Sequence, residues 1–190
     1  MSKHPDGDNM TRELIELSHL LPGAAVLDMG AGEGEAVSLL RGLGYDAFGI
    51  DRAPSGIVQA GDMTNLPFSG SSFDGVLAEC SFSVCGDTAR AFAEARRVLR
   101  PGGVLMLSDV YFKSESAPAL SLPYPAVKSG WERAASGFTL EKFLDRSDVW
   151  TQFIIDCVWN GLDLGDCGYL KCAGKAKCGY FISIWRKTEE

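Results

Sequence analysis

Histidine is nearly missing from this chain: His4 and His19 are the only two in 190 residues. Acid–base catalysis near neutral pH therefore has few ready groups to draw on. Basic charge is scarce too, with 18 Lys and Arg against 25 Asp and Glu and a formal net charge of -7. Nonspecific nucleic-acid binding needs a basic field that displaces counterions from phosphates, so no nucleic-acid partner is expected. No stretch of about 18 apolar residues occurs, which argues against a helical membrane span. The opening MSKHPDGDNM lacks the apolar core of a signal peptide, so a cytoplasmic location with six reduced cysteines is expected. The cysteines form no CxxC pair, and no metal site is expected. Internal repeats are absent, as is the phosphate-binding pattern GxxxxGK(S/T).

What is present is 46% hydrophobic and long enough to bury the core of a single domain over residues 1–190. A helix is expected from Asn9 to Leu20, with Leu14, Leu17 and Leu21 on one face and Pro22-Gly23 ending it. AAVLDM reads as a buried parallel strand, apolar rather than alternating. A glycine turn and a helix to about Arg41 follow, then the strands YDAFGID and FDGVLAE. DTARAFAEARRVL is an amphipathic helix capped by Asp87, with Phe92, Ala95 and Leu99 facing inward. VLMLSDVY is another strand, and GYFISIWRK alternates as a late antiparallel one. GFTLEKFLDR favours strand, and SDVWTQFIIDCVWNG favours helix. Alternating strands and helices imply an α/β domain with a mostly parallel sheet.

The chemistry concentrates at VLDMGAGEGEAV, Val26 to Val37. Strand, glycine turn and helix start follow in the order that dinucleotide sites use. The glycines, however, are Gly30, Gly32 and Gly34, and Glu35 stands where the third glycine of the dinucleotide fingerprint belongs. Glu33 and Glu35 would also repel a pyrophosphate at the helix N-terminus. The loop thus suits a cation better than a phosphate. Asp51 closes the second strand, where a carboxylate can accept two hydrogen bonds from a ribose diol. Asp62 opens a further short loop before FDGVLAE, and turn capping is an alternative role for it.

Together, VLDMGAGEGE, GID, GDMTNLPFSGSSFDGVLAE and RVLRPGGVLMLSD resemble the successive motifs of class I S-adenosylmethionine-dependent methyltransferases. The likeness runs from about Leu20 to Tyr111, plus the last strand. It leans towards small-molecule enzymes of the ubiquinone/menaquinone C-methyltransferase type, with arsenite methyltransferases as relatives. The resemblance implies a Rossmann-like doubly wound fold with an antiparallel last strand. It implies S-adenosylmethionine as cofactor, a small-molecule methyl acceptor and in-line transfer. By the same likeness Asp28, Gly30, Ala31, Gly32 and Gly34 hold the methionine part, and Asp51 with Arg52 the ribose side. Asp62 and Met63 meet the adenine, and Glu79 reaches the cofactor from the end of its strand. Glu79, Cys80 and Tyr111 are the candidates beside the reacting methyl group.

Two departures from the family pattern stand out. The helix expected between the second and third strands is shortened, because DRAPSGIVQAGD is too brief for a full crossover. The helix after VLMLSDVY gives way to a segment with proline and serine, and residues 112–137 read as a lid, with residues 1–22 as a helical cover. Tyr124 and Trp131 are its aromatic candidates, and Trp150 and Trp159 suit core packing or a homodimer contact. Cys157, Cys167, Cys172 and Cys178 cluster late without metal-ligand spacing. Two rival readings remain at this point. One is a non-catalytic or partner-dependent cofactor-binding module. The other is an NAD oxidoreductase, resting on the turn and Asp51.

Overall fold

The computed structural model describes residues 5–53, 55–114, 127–160 and 178–189. Its helices are α1 (Asp8–Ser18), α2 (Glu35–Gly42), α3 (Thr88–Val98), α4 (Lys128–Ala134) and α5 (Ser147–Trp159). Its strands are β1 (Ala25–Met29), β2 (Asp46–Asp51), β3 (Gln59–Ala60), β4 (Phe73–Glu79), β5 (Leu99–Phe112), β6 (Phe138–Asp145) and β7 (Cys178–Lys187). They form one sheet in the order β3-β2-β1-β4-β5-β7-β6. β3, β2, β1, β4 and β5 run parallel, whereas β7 pairs antiparallel with both β5 and β6. This is the Rossmann-like, doubly wound sheet with late antiparallel pairing that the sequence led us to expect.

Burial explains the run patterns. Val26 to Met29 and Val76 to Ala78 are buried at consecutive positions, because helices cover both sheet faces. On one face Phe92 of α3 is at the centre of edge-on contacts with Phe82, Trp131, Phe138 and Trp185. On the other, α1 and α2 place Leu14, Val37 and Leu40 against the sheet, and Trp150 of α5 stacks on Tyr180 of β7 at 5.8 Å. Asp87 caps α3 as expected, accepting from the Arg90 N–H at 2.9 Å.

Several expectations are revised. α1 ends at Ser18, with His19 exposed in left-handed conformation at its C-cap and Leu21 77% exposed. Leu21 therefore does not share the inner face, which Met10, Leu14 and Ile15 form instead. β3 exists but is only two residues long, and turns rather than a helix connect β2 to it among the described residues. Within 112–137, Phe112 belongs to β5 and α4 occupies Lys128–Ala134. Trp131 is fully buried against Phe92 and Phe181, so it is a core residue rather than a loop aromatic. α4 uses this ring to anchor itself onto α3 at Phe92. Tyr124, Cys167 and Cys172 lie outside the described residues.

Candidate active site

The strand order reverses between β1 and β4, and ligands of open α/β sheets bind beside such a point at the carboxyl ends of the strands. Here the ends of β1, β2 and β4 bring Asp28, Asp51 and Glu79 together. The glycine turn after β1 is tied across to β2. The N–H groups of Gly30 and Ala31 donate to Ile50 O at 2.9 and 3.0 Å, and the Gly32 N–H donates to Asp51 Oδ2 at 3.0 Å. Asp51 Oδ1 accepts from the Ala53 N–H at 2.8 Å. Gly30 has φ 89°, and a Cβ there would lie 2.5 Å from Ser81 Cβ. Ser81 in turn donates to Met29 O at 2.7 Å, locking β4's exit against β1.

Two cavities flank this contact. One, of about 280 Å³, is lined by Asp51, Arg52, Met63, Ser81, Val84 and Cys85 among others. The other, of about 200 Å³, is lined by Asp28, Ala31, Gly32, Glu33, Glu35 and Glu79. Gly30 and Cys80 line both, so the two cavities adjoin at these residues, and we take them as the two halves of one cleft with its waist there. Among the described residues, the smaller half presents four carboxylates and no basic side chain. A field of that sign attracts cations and rejects pyrophosphate. It holds Asp28 well above the usual carboxylate range, through burial first and then the charges of Glu79 and Asp51.

Of the expected site residues, Asp28, Gly30, Ala31, Gly32, Asp51, Arg52, Met63, Glu79 and Cys80 all line the cleft. Gly34 and Asp62 do not. Gly34 sits behind the turn against Ile57. Asp62 caps its own turn, accepting at Oδ1 from the Thr64 N–H at 2.8 Å and hydroxyl at 2.7 Å, and it faces Arg52 at 3.2 Å. The Thr64 hydrogen bonds, aided by Arg52, keep its carboxyl below the usual range. Turn capping, the alternative role weighed from the sequence, is thus one that this residue performs. Tyr111 also lies away from the cleft. Its ring packs between Phe143 and Phe181, and burial with Asp145 beside it pushes the phenol up to about 12. A phenol so held does not act as a base near neutral pH.

The sequence reading missed four groups. Thr11 of α1 donates to Glu79 Oε2 at 2.8 Å, pinning the N-terminal helix to the site. Tyr180 and Ser108 lie directly behind Cys80. Asp109 is fully buried and accepts from the Ser83 and Val110 N–H groups at 2.9 and 2.8 Å, holding the short 3-10 turn Phe82–Val84 that walls the larger half. Only strand pairing over about a hundred positions brings Tyr180 to Cys80, and no local pattern marks it. Burial raises Asp109 to about 6. A raised carboxyl in the folded state contributes stability that is complete below its unfolded value and is lost as pH rises through about 6. Urea titrations should therefore show stability falling between about pH 4 and pH 6, and Asp109→Asn should flatten that slope.

Among the described residues, Cys85 and Cys157 are free cysteines. Among the described residues, no three His, Cys, Asp or Glu side chains gather so as to hold a metal. No helix among them is long and apolar enough to cross a membrane.

Comparison with known proteins agrees with this geometry. Residues 27–107 match the family described as methyltransferase domain. These residues form a methyltransferase domain. The match takes in β1 to β5, hence the glycine turn, Asp51, Glu79 and Cys80. The chain is 31% identical over 109 residues to a demethylmenaquinone methyltransferase of Renibacterium salmoninarum, covering 52% of this chain and 46% of that protein. It is 30% identical over 110 residues to an arsenite methyltransferase of Halobacterium salinarum, covering 48% of this chain and 28% of that one. The chain thus spans about half the length, or less, of these curated relatives. Among solved structures, the cyclase SpnF superposes with a TM-score of 0.78 at 22% identity, covering 100% of this chain and 88% of that one. A Haemonchus contortus phosphoethanolamine N-methyltransferase 2 in complex with S-adenosyl-L-methionine gives 0.77 at 16% identity, covering 98% and 54%. One of these neighbours is a cyclase, so their likeness establishes the fold of the methyltransferase domain and leaves its chemistry to the site.

Proposed function

We propose that this methyltransferase domain binds S-adenosylmethionine and transfers its methyl group to a small-molecule acceptor. The observation that carries this reading is the two-part cleft, with a carboxylate-only half joined at a waist to a larger half bearing Asp51. A phosphate-free ligand with an ammonium and a sulfonium at one end and a ribose at the other matches that division of charge. Asp28 with the turn at Gly30 to Gly32 would hold the amino-acid end. Asp51 would accept from ribose hydroxyls, and Met63 would pack against the base. When bound, this cofactor supplies an electrophilic methyl group. The protein's part is to align it with an incoming nucleophile, so orientation carries the rate. The named activities of relatives, on a demethylmenaquinone or on arsenite, support a small-molecule acceptor. NAD fits poorly, since its pyrophosphate would face Glu33 and Glu35.

Calorimetric titration of the full chain with S-adenosylmethionine, S-adenosylhomocysteine and NADH tests this. Saturable binding of the first two is expected. No heat with either at millimolar concentration, or tight binding of NADH alone, would overturn the reading. Transfer of a labelled methyl group to any added small molecule would eliminate the non-catalytic alternative.

A proton should accompany binding. Asp28 is raised by burial and by neighbouring carboxylates, and a bound cation stabilises its ionised form. Titrations repeated from about pH 8 down to about pH 5, in buffers of different ionisation enthalpy, should show growing proton release on S-adenosylmethionine binding. Asp28→Asn should abolish that dependence.

A further inference from the structure

The inner face of α1 is not wholly apolar. Met10, Leu14 and Ile15 pack into the core, and Thr11 and Ser18 are buried beside them at 1% exposure each. A buried hydroxyl needs a partner, and in a helix the nearest is a carbonyl three or four residues back. Ser18 takes that course and donates to Ile15 O at 2.7 Å. Thr11 spends its one proton elsewhere: it reaches out of the helix and donates to Glu79 Oε2 at 2.8 Å, across 68 positions of sequence. Glu79 ends β4 and is one of the carboxylates in the smaller half of the cleft. Among the described residues no part of α1 lines either half, so Thr11 touches that carboxylate without entering the cleft. The helix has other anchors. Glu13 pairs with Arg146 through both of its oxygens, and the Arg146 N–H donates to Tyr180 O of β7 at 2.7 Å. With its apolar face and Glu13 in place, α1 is held to the sheet independently of the Thr11 hydroxyl.

We propose that Thr11 is a positioning residue, which holds the Glu79 carboxylate in the orientation that receives the cationic amino-acid end of the ligand. This rests on the reading of the cleft given above and adds to it the residue that sets one of its carboxylates. A glutamate side chain turns about several bonds, and a ligand that must order them loses affinity in doing so. The bond from Thr11 orders them before the ligand arrives. Thr11 suits that task because its branched side chain is itself stiff and fully packed. An ammonium group meeting a carboxylate already in place then gains a charge-assisted hydrogen bond without that loss.

The test uses the full chain as wild type, Thr11→Val, Thr11→Ser, Glu79→Gln and the double variant of Thr11→Val with Glu79→Gln. Calorimetry gives the Kd for S-adenosylhomocysteine, whose amino-acid end carries the ammonium group. Hydrogen exchange of peptides from α1 reports whether the helix stays docked. Thr11→Val should raise the Kd by about threefold or more, and Glu79→Gln at least as much. Thr11→Ser keeps the hydroxyl and should stay within about twofold of wild type. In the Glu79→Gln background, Thr11→Val should add less than about twofold, because the charge it orients is gone. Exchange of α1 in Thr11→Val should stay within about twofold of wild type, whereas a hydroxyl that merely fastened the helix would speed exchange when lost. Should Thr11→Val fail to fold, Thr11→Ala, which places no branch against the carboxylate, must give the same loss of affinity. An unchanged Kd in Thr11→Val or in Glu79→Gln, a loss as large in Thr11→Ser as in Thr11→Val, an equal loss in the Glu79→Gln background, or faster exchange of α1 alongside the loss would overturn the proposal. A wild type that does not bind S-adenosylhomocysteine would overturn the reading of the cleft itself, and the two failures are thereby distinguishable.

Discussion

Asp51→Ala is expected to raise the Kd for S-adenosylhomocysteine by about 10- to 150-fold, equivalent to the roughly 1.5–3 kcal/mol that a hydrogen bond to a charged group contributes. The expectation has two sources. Asp51 is the carboxylate that lines the larger half of the cleft at the end of β2. It also holds the turn itself, accepting from the Gly32 and Ala53 N–H groups. Alanine removes both acceptors and leaves the Gly32 N–H to water. Asp51→Asn keeps the volume and one acceptor, so its loss should fall between wild type and alanine. Calorimetric titration of the three proteins measures this, with thermal melts to establish that each is folded. An alanine variant that binds as the wild type does would remove Asp51 from the site.

Gly30→Ala should cost about 2–5 kcal/mol, shared between folding stability and cofactor affinity. Left-handed backbone costs a non-glycine residue about 1–2 kcal/mol, and overpacking a tight contact about 1–3 kcal/mol. Both apply here, since φ is 89° and the added Cβ would meet Ser81 Cβ at 2.5 Å and Met63 Cε at 3.1 Å. Ser81 has little room to yield, being buried and bonded to Met29 O. If the turn keeps its shape, the strain appears as lower stability in urea. If the turn shifts to relieve it, the cleft deforms at its waist and affinity falls instead. Summing the two measured losses tests the argument, and a variant normal in both would refute it. Gly32→Ala is the natural control, because a Cβ there meets nothing within 4 Å and only the backbone conformation opposes it.

Residues 115–126 and 161–177 are outside the described residues, and the sequence-level lid at 112–137 falls partly among them. Around the described cleft, the side chains that approach the waist are thiol, hydroxyl and carboxyl groups rather than imidazole. His19 is exposed at the end of α1, and Tyr111 is committed to Asp145 and the aromatic core. Such a site aligns a nucleophile that is already reactive more readily than it generates one by deprotonation.

Much of this molecule was legible from the sequence because the relevant signals are local. The unbroken apolar run AVLDM marked β1 as buried on both faces, and three closely spaced glycines marked the turn after it. Asp28 and Asp51, as strand-end carboxylates, needed only the positions of their strands to be placed. The charge of the loop was legible as well: Glu33 and Glu35 beside the turn argued for a cationic ligand before any geometry was known, and the structure gathers both at the carboxylate-lined half of the cleft. The shortness of the link between β2 and β3 followed from residue count alone, and β3 is indeed only two residues long.

Tertiary structure alone decided the direction of each side chain and which distant segments meet. Asp62 stands at the predicted position in the chain, and the fold engages its carboxylate with Thr64 and with Arg52, ten positions earlier. Trp131 carries no mark that separates a lid aromatic from a core one, and packing on Phe92 and Phe181 settles it as core. Tyr180, Ser108 and Thr11 were invisible as site residues, because each reaches the cleft through contacts across the sheet or from the covering helix. Sequence patterns record periodicity and local turn chemistry. The convergence of β4, β5 and β7 behind Cys80 depends on strand order and register, which emerge only when the whole sheet is assembled.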